Sequence, residues 1–345
     1  MPQSLKGRIA LVAGATRGAG RGIAHELAAA GAKVYCTGRS THGNPATPGR
    51  PETIDETAER IIAAGGAAVA VRVDHNDETQ VAALATRLRR DEGRLDILVN
   101  DVWGGDELID FKAKFWELDL AVAPKLIGQA VFSHLITARH LAPLMIEAGR
   151  GLIVEVTDGE LPGYRGQLLY DLVKASVNRL AYGMAFDLIG TGVTALAVSP
   201  GFLRSEAMLD LFKATEGNWR EGAKLNPSFI WSESPRYIGR AIAALAADPE
   251  VGRKAGTALW GSALAREYDF NDVDGSRPDF WRNVEGWLEQ EMAKTGDLSE
   301  GARDMALARY GHNHKSPERT QQAKAYAQRL GLPEVGRGLG PAESA

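Results

Sequence analysis

The stretch IALVAGATRGAG at residues 9–20 decides the fold class of this chain. Its first five residues are compact and apolar, as those of a strand covered on both faces must be. A glycine-rich turn follows, and a helical pattern begins near residue 21. Glycines in such a turn let backbone N–H groups approach a pyrophosphate, and the helix N-terminus adds positive potential. The stretch therefore predicts a nucleotide-binding turn, with cofactor contacts from Gly14, Thr16, Arg17, Gly18 and Gly20.

Short apolar runs alternate with longer helical patterns as far as about residue 260. This strand–helix–strand repetition predicts a parallel sheet with helices on both sides, a Rossmann-type doubly wound α/β domain. The predicted strands are residues 9–13, 33–37, 67–73, 97–99, 151–156, 193–198 and 257–260. The predicted helices include residues 21–30, 53–64, 79–91, 132–148 and 170–189.

The end of the second predicted strand, TGRS at residues 37–40, bears on the choice of cofactor. In dinucleotide folds an acidic residue here binds the adenosine ribose and favours NAD. Gly38 stands in that place, Arg39 and Ser40 follow it, and Arg17 lies inside the glycine turn. Two guanidinium groups at this point favour a 2′-phosphate, so the sequence predicts NADP, with NADPH preferred over NADH. The alternative is that both arginines are solvated surface residues.

Composition and charge exclude several classes of protein. The chain has 345 residues and a net charge of −4, without a basic block, so no nucleic acid partner is expected. The single cysteine, Cys36, suits a reducing compartment, and neither a secretory signal nor a membrane-spanning apolar run is evident. We expect a cytoplasmic protein without a membrane partner. His134 and His140, like His312 and His314, lack the companions of a metal site, so no metal is predicted.

Two internal segments and the C-terminal tail depart from the alternating pattern. Residues 41–52 contain three prolines and two glycines and are predicted to form an exposed loop. Residues 202–235 carry scattered apolar residues, and form either a lid over a site or an irregular loop packed on the domain. A Rossmann-type domain at residues 1–278 would include this segment as its substrate loop, and residues 279–345 would form a helical extension.

The extension carries an apolar stripe at helical spacing, which must be buried. We expect it to contact another subunit or to cover the rim of an active site, in preference to packing alone. A cap-like Ser316-Pro317-Glu318 predicts a further helix. The stripe consists of Phe280, Trp281, Val284, Trp287, Leu288 and Met292.

Several short motifs, taken in order along the chain, resemble those of the short-chain dehydrogenase/reductase family. NDVWGG at residues 100–105 and the stretch 264–275 are most similar to the branch named for dehydrogenase/reductase member 1. The resemblance covers about residues 5–278. It rests on the Gly14/Gly18/Gly20 turn, Asp74, Asn100, Tyr170-x-x-x-Lys174 and Pro200-Gly201.

The resemblance implies roles for residues beyond the glycine turn. Asp74 would contact the adenine and Asn100 would lie beside a cofactor ribose. Pro200 and Gly201 would place the backbone of Leu203 against the carboxamide of the nicotinamide. Ser205 stands where the family often has a threonine that contacts the same group.

Tyr170 and Lys174 form the predicted catalytic pair. Residues four apart share a helix face, so the ammonium group can lie near both the phenol and a ribose. A free tyrosine titrates near pH 10, and work near pH 7 needs a shift of about three units, which a lysine cation and an oxidised nicotinamide can largely supply. Tyr170 would then protonate a developing alkoxide, or deprotonate an alcohol in the reverse direction.

The chain departs from the family pattern at two catalytic positions. Where the family has a serine that donates to the substrate oxygen, this chain has Thr157 and Asp158. Thr157 keeps a hydroxyl, whereas an ionised Asp158 cannot donate; it could donate if protonated, bind a cationic substrate group, or only form a strand-end turn. The family's helix-four asparagine is replaced by Gln129 or Ala130.

The sequence thus predicts an NADP-dependent oxidoreductase that moves a hydride to or from a carbonyl or alcohol carbon of a small organic substrate. Tyr170 is the acid/base, Lys174 tunes its pKa, and Thr157 or Asp158 contacts the substrate oxygen. The alternative is a nucleotide-binding protein with little turnover, acting in redox sensing or assembly. The family usually forms dimers or tetramers, so a homodimer or homotetramer is expected.

Overall fold

A single sheet of seven parallel strands organises the chain in a computed structural model, which describes residues 4–158 and 165–295. The strand order is β3-β2-β1-β4-β5-β6-β7, and each predicted strand boundary lies within one residue of the observed one. The predicted Rossmann-type fold is therefore confirmed. The strands are β1 (Ile9–Ala13), β2 (Lys33–Gly38), β3 (Ala67–Arg72), β4 (Ile97–Asn100), β5 (Gly151–Val156), β6 (Val193–Ser199) and β7 (Ala258–Trp260).

Helices cover both faces of the sheet. Alternate residues of β1 enter two separate apolar clusters, because successive side chains of a strand point to opposite faces. Helices α1, α2 and α8 bury their apolar sides in one cluster, and α3 and α5 in the other. The α-helices are α1 (Gly18–Ala29), α2 (Ile54–Ala63), α3 (Glu78–Glu92), α4 (Ala123–Ile127), α5 (Ser133–Glu147), α6 (Leu168–Asp187), α7 (Glu206–Leu211), α8 (Pro235–Ala247), α9 (Gly261–Glu267) and α10 (Phe280–Thr295).

The strand order reverses beside β1, whose neighbours are β2 and β4. In open parallel sheets, ligands bind in the crevice outside the carboxyl ends of the strands at such a switch point. The glycine turn after β1 and the NDVWGG stretch after β4 meet there, since the N–H of Asp101 donates to the carbonyl of Ala13 at 2.9 Å.

Helices α1 and α8 cross at two glycines. A Cβ atom on Gly22 would lie 2.0 Å from the carbonyl oxygen of Pro235, and one on Gly239 would lie 2.6 Å from that of Gly22. The two backbones are therefore in direct contact, and any side chain at Gly22 would force the helices apart.

The helical segment that contains α5 begins earlier than the sequence predicts. It extends over Leu120–Glu147, with a π-helical turn at Gly128–Phe132. By length and composition alone this 28-residue segment could cross a membrane, since an 18-residue window within it has a mean hydropathy of 1.3; this property was not predicted from the sequence. Leu141, Leu144 and Met145 are nevertheless buried against the sheet, so this segment is part of the α/β domain.

Residues 202–235 and α10 pack on each other through aromatic rings. Phe280 lies 5.6 Å from Phe202 and 6.4 Å from Trp231, measured between ring centroids. The apolar stripe of α10 thus contacts its own chain. The side chain of Met292, the Ser316-Pro317-Glu318 motif, His312 and His314 lie outside the residues or side chains that the structure describes.

Candidate active site

The glycine turn leaves no room for side chains at two of its positions. Gly14 has a φ of +94°, and a Cβ atom there would lie 2.3 Å from the carbonyl oxygen of Asp101. A Cβ atom on Gly20 would lie 2.3 Å from the carbonyl oxygen of Gly14. α1 begins at Gly18, three residues earlier than predicted, so the turn is continuous with the N-terminus of the helix.

A carboxylate occupies the N-terminus of α1. Oε2 of Glu206 accepts a hydrogen bond from the N–H of Gly18 at 2.7 Å, and its Oε1 lies 3.7 Å from the guanidinium of Arg21. A helix N-terminus attracts anions through its free N–H groups and its dipole. Glu206 therefore marks an anion site of the kind that suits a phosphate of a dinucleotide.

The end of β2 has no space for the acidic residue of NAD-type sites. A Cβ atom on Gly38 would lie 2.8 Å from Oγ1 of Thr16, so Thr16 fills that position instead. The side chain of Arg39 is 38% exposed, and its guanidinium lies 4.0 Å from the carboxylate of Asp74. Arg17 lies 3.4 Å from Oγ1 of Thr47, and so faces the loop at residues 41–52.

Ser40 contributes to that same loop. Its buried hydroxyl accepts a hydrogen bond from the N–H of Ala46 at 3.0 Å, and its carbonyl accepts one from Ile54 at the start of α2. In this structure Ser40 therefore holds the loop beside Arg39, and its predicted contact with a cofactor stays a prediction.

Asn100 is buried at the end of β4 in a polar network that the sequence did not reveal. Its Nδ2 donates to Glu155 at 2.7 Å, and the other oxygen of that carboxylate lies 2.6 Å from Nδ1 of His134. Burial acts against protonation of His134, but the Glu155 carboxylate prevails and raises the pKa of the imidazole. His134 is thus a paired core residue rather than a metal ligand.

Asp101, next to Asn100, carries an unusual carboxyl group. Burial raises its pKa to about 7, opposed by the charges of Lys174 and His134 and by a hydrogen bond from the N–H of Gly20. A second titratable group therefore lies near Lys174, beside the glycine turn, and changes charge near neutral pH.

The hydroxyl of Tyr170 donates a hydrogen bond to Oδ2 of Asp158 at 2.5 Å. The other oxygen of this carboxylate accepts a hydrogen bond from Arg165. Burial alone would raise the pKa of Asp158, but the charges of Arg165 and Lys174 and the hydrogen bond from Tyr170 hold it below its ordinary value. Asp158 is therefore ionised, and it can only accept hydrogen bonds.

The same contact affects the tyrosine. Burial, followed by the Asp158 carboxylate, raises the pKa of Tyr170 well above its ordinary value. In this arrangement Tyr170 holds its proton at neutral pH, but the raised pKa makes it a weaker acid, which is the opposite of the downward shift predicted from the sequence. To serve as a base in the reverse reaction, Tyr170 must first lose its hydrogen bond to Asp158, because that bond stabilises the protonated phenol.

Lys174 lies one helical turn beyond Tyr170 on α6, and both contact the ring of Trp103. The ammonium nitrogen is 4.1 Å from the centroid of that ring and 5.5 Å from the centroid of the Tyr170 ring. Burial lowers the pKa of Lys174, while the carboxylates of Asp158 and Asp101 oppose this. A role for Trp103 was not anticipated, although it lies in the NDVWGG stretch.

Thr157 points away from the tyrosine. Its hydroxyl donates to the carbonyl oxygen of Lys174 at 2.9 Å, so it fixes α6 against the end of β5. Of the two residues that could replace the family's serine, the structure therefore brings Asp158, and not Thr157, to the Tyr170 hydroxyl.

Glu233 fixes the segment after β6 through contacts with its backbone. The N–H of Gly201, which follows Pro200, donates to Oε2 of Glu233 at 3.0 Å, and Leu203 forms a parallel bridge with Glu233. Ser205 caps α7, and its Cβ lies 3.7 Å from where a Cβ atom on Gly18 would be. The segment of residues 202–235 and the glycine turn are therefore in close contact.

Burial raises the pKa of the Glu233 carboxyl to about 8; Gly201 and Arg204 oppose the shift, and Asp272 and Asp279 add to it. The unfolded chain gives up this proton near the ordinary pKa of 4.5. The folded state keeps the proton to a higher pH than the unfolded chain does, so the stability that this group contributes is full below pH 4.5 and falls until about pH 8.

We expect Glu233→Gln to flatten the fall in Tm between pH 5 and pH 8.5. Glu221→Gln, an exposed control, should keep the wild-type slope, and an unchanged slope in Glu233→Gln would contradict the assignment.

The described residues, 4–158 and 165–295, contain no group of three His, Cys, Asp or Glu side chains arranged to hold a metal ion. The arrangement they do contain is a switch-point crevice. A glycine turn with an anion site lies beside a buried Tyr–Lys pair and an ionised carboxylate, which suits a dinucleotide and proton transfer to a small substrate.

Comparisons with known proteins agree with this class of site. The family model described as short chain dehydrogenase matches residues 8–216. Dehydrogenase/reductase SDR family member 1 of Mus musculus is 34% identical over 280 residues, which are 80% of this chain and 86% of that protein. The Homo sapiens protein of the same name is 31% identical over 279 residues, 80% of this chain and 86% of that protein.

A solved structure from Beutenbergia cavernae, described as a putative NAD(P)-dependent gluconate 5-dehydrogenase with bound NADP, is also similar. It is 28% identical with a TM-score of 0.61, and the match covers 77% of this chain and 100% of that one. The chain belongs to the short-chain dehydrogenase/reductase family, and its similarity to the member 1 branch is confirmed. It is an oxidoreductase of the class that acts on alcohol and carbonyl groups.

Proposed function

We propose that this protein is an NADP(H)-dependent oxidoreductase that transfers a hydride between the nicotinamide and a carbonyl or alcohol carbon of a small organic substrate. The observation that carries the proposal is the position of Tyr170 and Lys174. Both pack on Trp103, at the crevice where the strand order of the sheet reverses.

The residues of the crevice fit a dinucleotide. Gly14 and Gly20 allow a close approach of the backbone, and the N–H of Gly18 already binds a carboxylate. When bound, the nicotinamide supplies or accepts the hydride. The residues that we propose to hold the cofactor are Gly14, Thr16, Arg17, Gly18, Gly20, Arg39, Ser40, Asp74, Asn100, Tyr170, Lys174, Pro200, Gly201, Leu203 and Ser205.

In carbonyl reduction, Tyr170 gives its hydroxyl proton to the oxygen that becomes the alcohol. The Lys174 ammonium stabilises the phenolate that this leaves, because it lies over the tyrosine ring at 5.5 Å. Asp158 orients the hydroxyl before the transfer. In alcohol oxidation the same groups act in reverse, with Tyr170 as the base.

The preference for NADPH is tested by two arginine variants. We expect Arg39→Ala and Arg17→Ala each to weaken NADPH binding by about 10-fold, since each removes a charge-assisted contact of about 1.5 kcal/mol with a 2′-phosphate. NADH binding should change little. Parallel titrations by nicotinamide fluorescence check this, with Arg253→Ala, an exposed residue after α8, as control. Equal NADPH and NADH affinities in the wild-type protein would refute the preference.

The Glu206 carboxylate gives a second prediction. A phosphate at the N–H of Gly18 must displace it, so Glu206→Gln should bind NADPH and NADH about 10-fold more tightly than the wild type, because a neutral amide competes less well for the helix N-terminus. Isothermal calorimetry measures the change. Glu221→Gln, an exposed residue elsewhere in the substrate loop, is the control, and weaker binding by Glu206→Gln would show that the carboxylate supports the cofactor.

One observation favours the second candidate, a nucleotide-binding protein with little turnover. Asp158 accepts a hydrogen bond from the hydroxyl of Tyr170 and raises the pKa of that hydroxyl. Tight NADPH binding without oxidation of the cofactor by a broad panel of aldehydes and ketones would support that candidate. Oxidation that depends on Tyr170 would support the enzyme.

We further propose that the protein is a cytoplasmic homodimer or homotetramer. Large apolar side chains in or beside α5 and α6 are exposed, and an interface between subunits would remove them from water. Light scattering gives the molar mass and tests the assembly, and cell fractionation tests the location. The exposed side chains are Phe132, Leu135, Ile146, Leu172, Phe186 and Ile189.

A further inference from the structure

Carbonyl reduction places negative charge on the substrate oxygen, and donors aimed at that oxygen lower the barrier. In the proposed site Tyr170 is one donor, but the neighbouring position holds the ionised Asp158, which cannot donate. A carboxylate there would repel the developing charge unless a cation lies beside it.

Arg165 is that cation. Its Nη2 donates to Oδ1 of Asp158, while Tyr170 donates to Oδ2, so the tyrosine and the guanidinium share one carboxylate. The guanidinium carbon lies 5.0 Å from the centroid of the Trp281 ring, and the N–H of Arg165 donates to Asp171 at 2.9 Å. Arg165 is therefore fixed by three contacts: its backbone N–H on Asp171, the face of its guanidinium on Trp281, and its Nη2 on Asp158.

One donor of this guanidinium is unused. The Nε atom is buried and has no hydrogen-bond partner among the described residues. A buried donor without a partner is unfavourable, and a hydrogen bond to a substrate acceptor would remove that cost.

We propose that Arg165 is a catalytic residue that donates a charge-assisted hydrogen bond to the substrate oxygen, in the role that a neutral hydroxyl has elsewhere in the family. The inference rests on the proposed function. The carbonyl carbon receives the hydride from the reduced nicotinamide, the π electrons pass to the oxygen, and that oxygen takes the Tyr170 proton. Arg165 stabilises the charge on the oxygen until the proton arrives, and Asp158 and Trp281 are its positioning residues.

The first test uses the full-length chain, Arg165→Ala, Arg165→Lys, and Arg179→Ala as matched control. Arg179 also lies against an aromatic ring, that of Tyr182, on the far part of α6. The probes are methyl benzoylformate, a neutral keto ester, and benzoylformate, its anionic acid. NADPH oxidation is followed by absorbance, and NADPH affinity by fluorescence.

We expect Arg165→Ala to lower kcat for the neutral ester by about 100-fold, with NADPH affinity unchanged, as for other lost oxyanion donors. Added guanidinium ion should restore part of the rate, Arg165→Lys should be intermediate, and Arg179→Ala should match the wild type. A loss confined to benzoylformate and to KM would overturn the inference, because Arg165 would then bind a substrate carboxylate. An unchanged kcat for the ester would also overturn it.

A second measurement needs no turnover. In the presence of NADP⁺, 4-nitrophenolate serves as an oxyanion mimic whose absorbance reports its ionisation. We expect at least about 10-fold weaker binding to Arg165→Ala than to the wild type or Arg179→Ala. Equal binding, or none to the wild type, would refute the oxyanion site. Binding through Arg165 in a protein that oxidises no NADPH with either probe would instead refute the proposed function and leave the site standing.

Discussion

Tyr170→Phe should lower the rate of hydride transfer by about 10³-fold while NADPH binding stays within about threefold of the wild type. The substitution removes the proton that the substrate oxygen needs and changes little else. Trp103 and Phe111 contact the ring, at centroid distances of 5.6 Å and 5.4 Å, and phenylalanine keeps both contacts. Asp158 keeps Arg165 as a partner, so no carboxylate is left unpaired.

Stopped-flow oxidation of bound NADPH measures this effect, with Tyr182→Phe on the same helix as the control. Tyr182 packs on Phe186, far along α6. The control should match the wild type. A Tyr170→Phe protein that retains more than about a tenth of the wild-type rate would remove the tyrosine from the chemistry and leave a water as the proton source.

Gly22→Ala should destabilise the fold by at least about 2 kcal/mol, a cost typical of overpacking between elements that cannot yield. Its Cβ atom would lie 2.0 Å from the carbonyl oxygen of Pro235, which is backbone and cannot move by a rotamer change. Helices α1 and α8 would have to separate. The buried side chains of Ile23 on α1 and Ile238 on α8 would then lose apolar contacts within the cluster that they share.

Gly183→Ala is the matched control, since a Cβ atom on this helical glycine would meet nothing within 4 Å. It should stabilise the protein by about 0.5–1 kcal/mol through helix propensity. Urea unfolding midpoints at one protein concentration compare the variants. Equal midpoints for Gly22→Ala and the wild type would mean that the helix crossing yields more easily than its backbone contact indicates.

Most strands were predictable because burial on both faces leaves compact apolar runs, and a glycine or polar residue follows each predicted run. The start of α1 was not predictable, because Gly18 and Gly20 have low helix propensity. Both are nevertheless helical in the structure, where the turn requires residues without a side chain. The helical residues 120–131 were missed for a different reason. Their short 3₁₀, α and π turns interrupt the 3.6-residue period on which such a prediction depends.

Contacts between site residues that are close in sequence were predictable, and contacts between site residues that only the tertiary structure brings together were not. The Tyr170–Lys174 pair follows from its spacing on one helix. The choice between Thr157 and Asp158 did not follow, because adjacent residues at a strand end point to opposite sides and only the packing decides which meets the tyrosine. The contact of Glu206 with Gly18 joins residues 188 apart, and no local pattern encodes it.

The stacking of Arg165 on Trp281 means that the charge balance at Asp158 depends on a residue beyond the last strand of the sheet. Helix α10 packs on the strands only at Trp260 of β7, the edge strand, so among the described residues a change there would leave the centre of the Rossmann sheet untouched. It is therefore a place where reactivity can be tuned independently of cofactor binding. A shortened protein that folds and binds its nucleotide normally would, for that reason, be a poor guide to the chemistry of the whole chain.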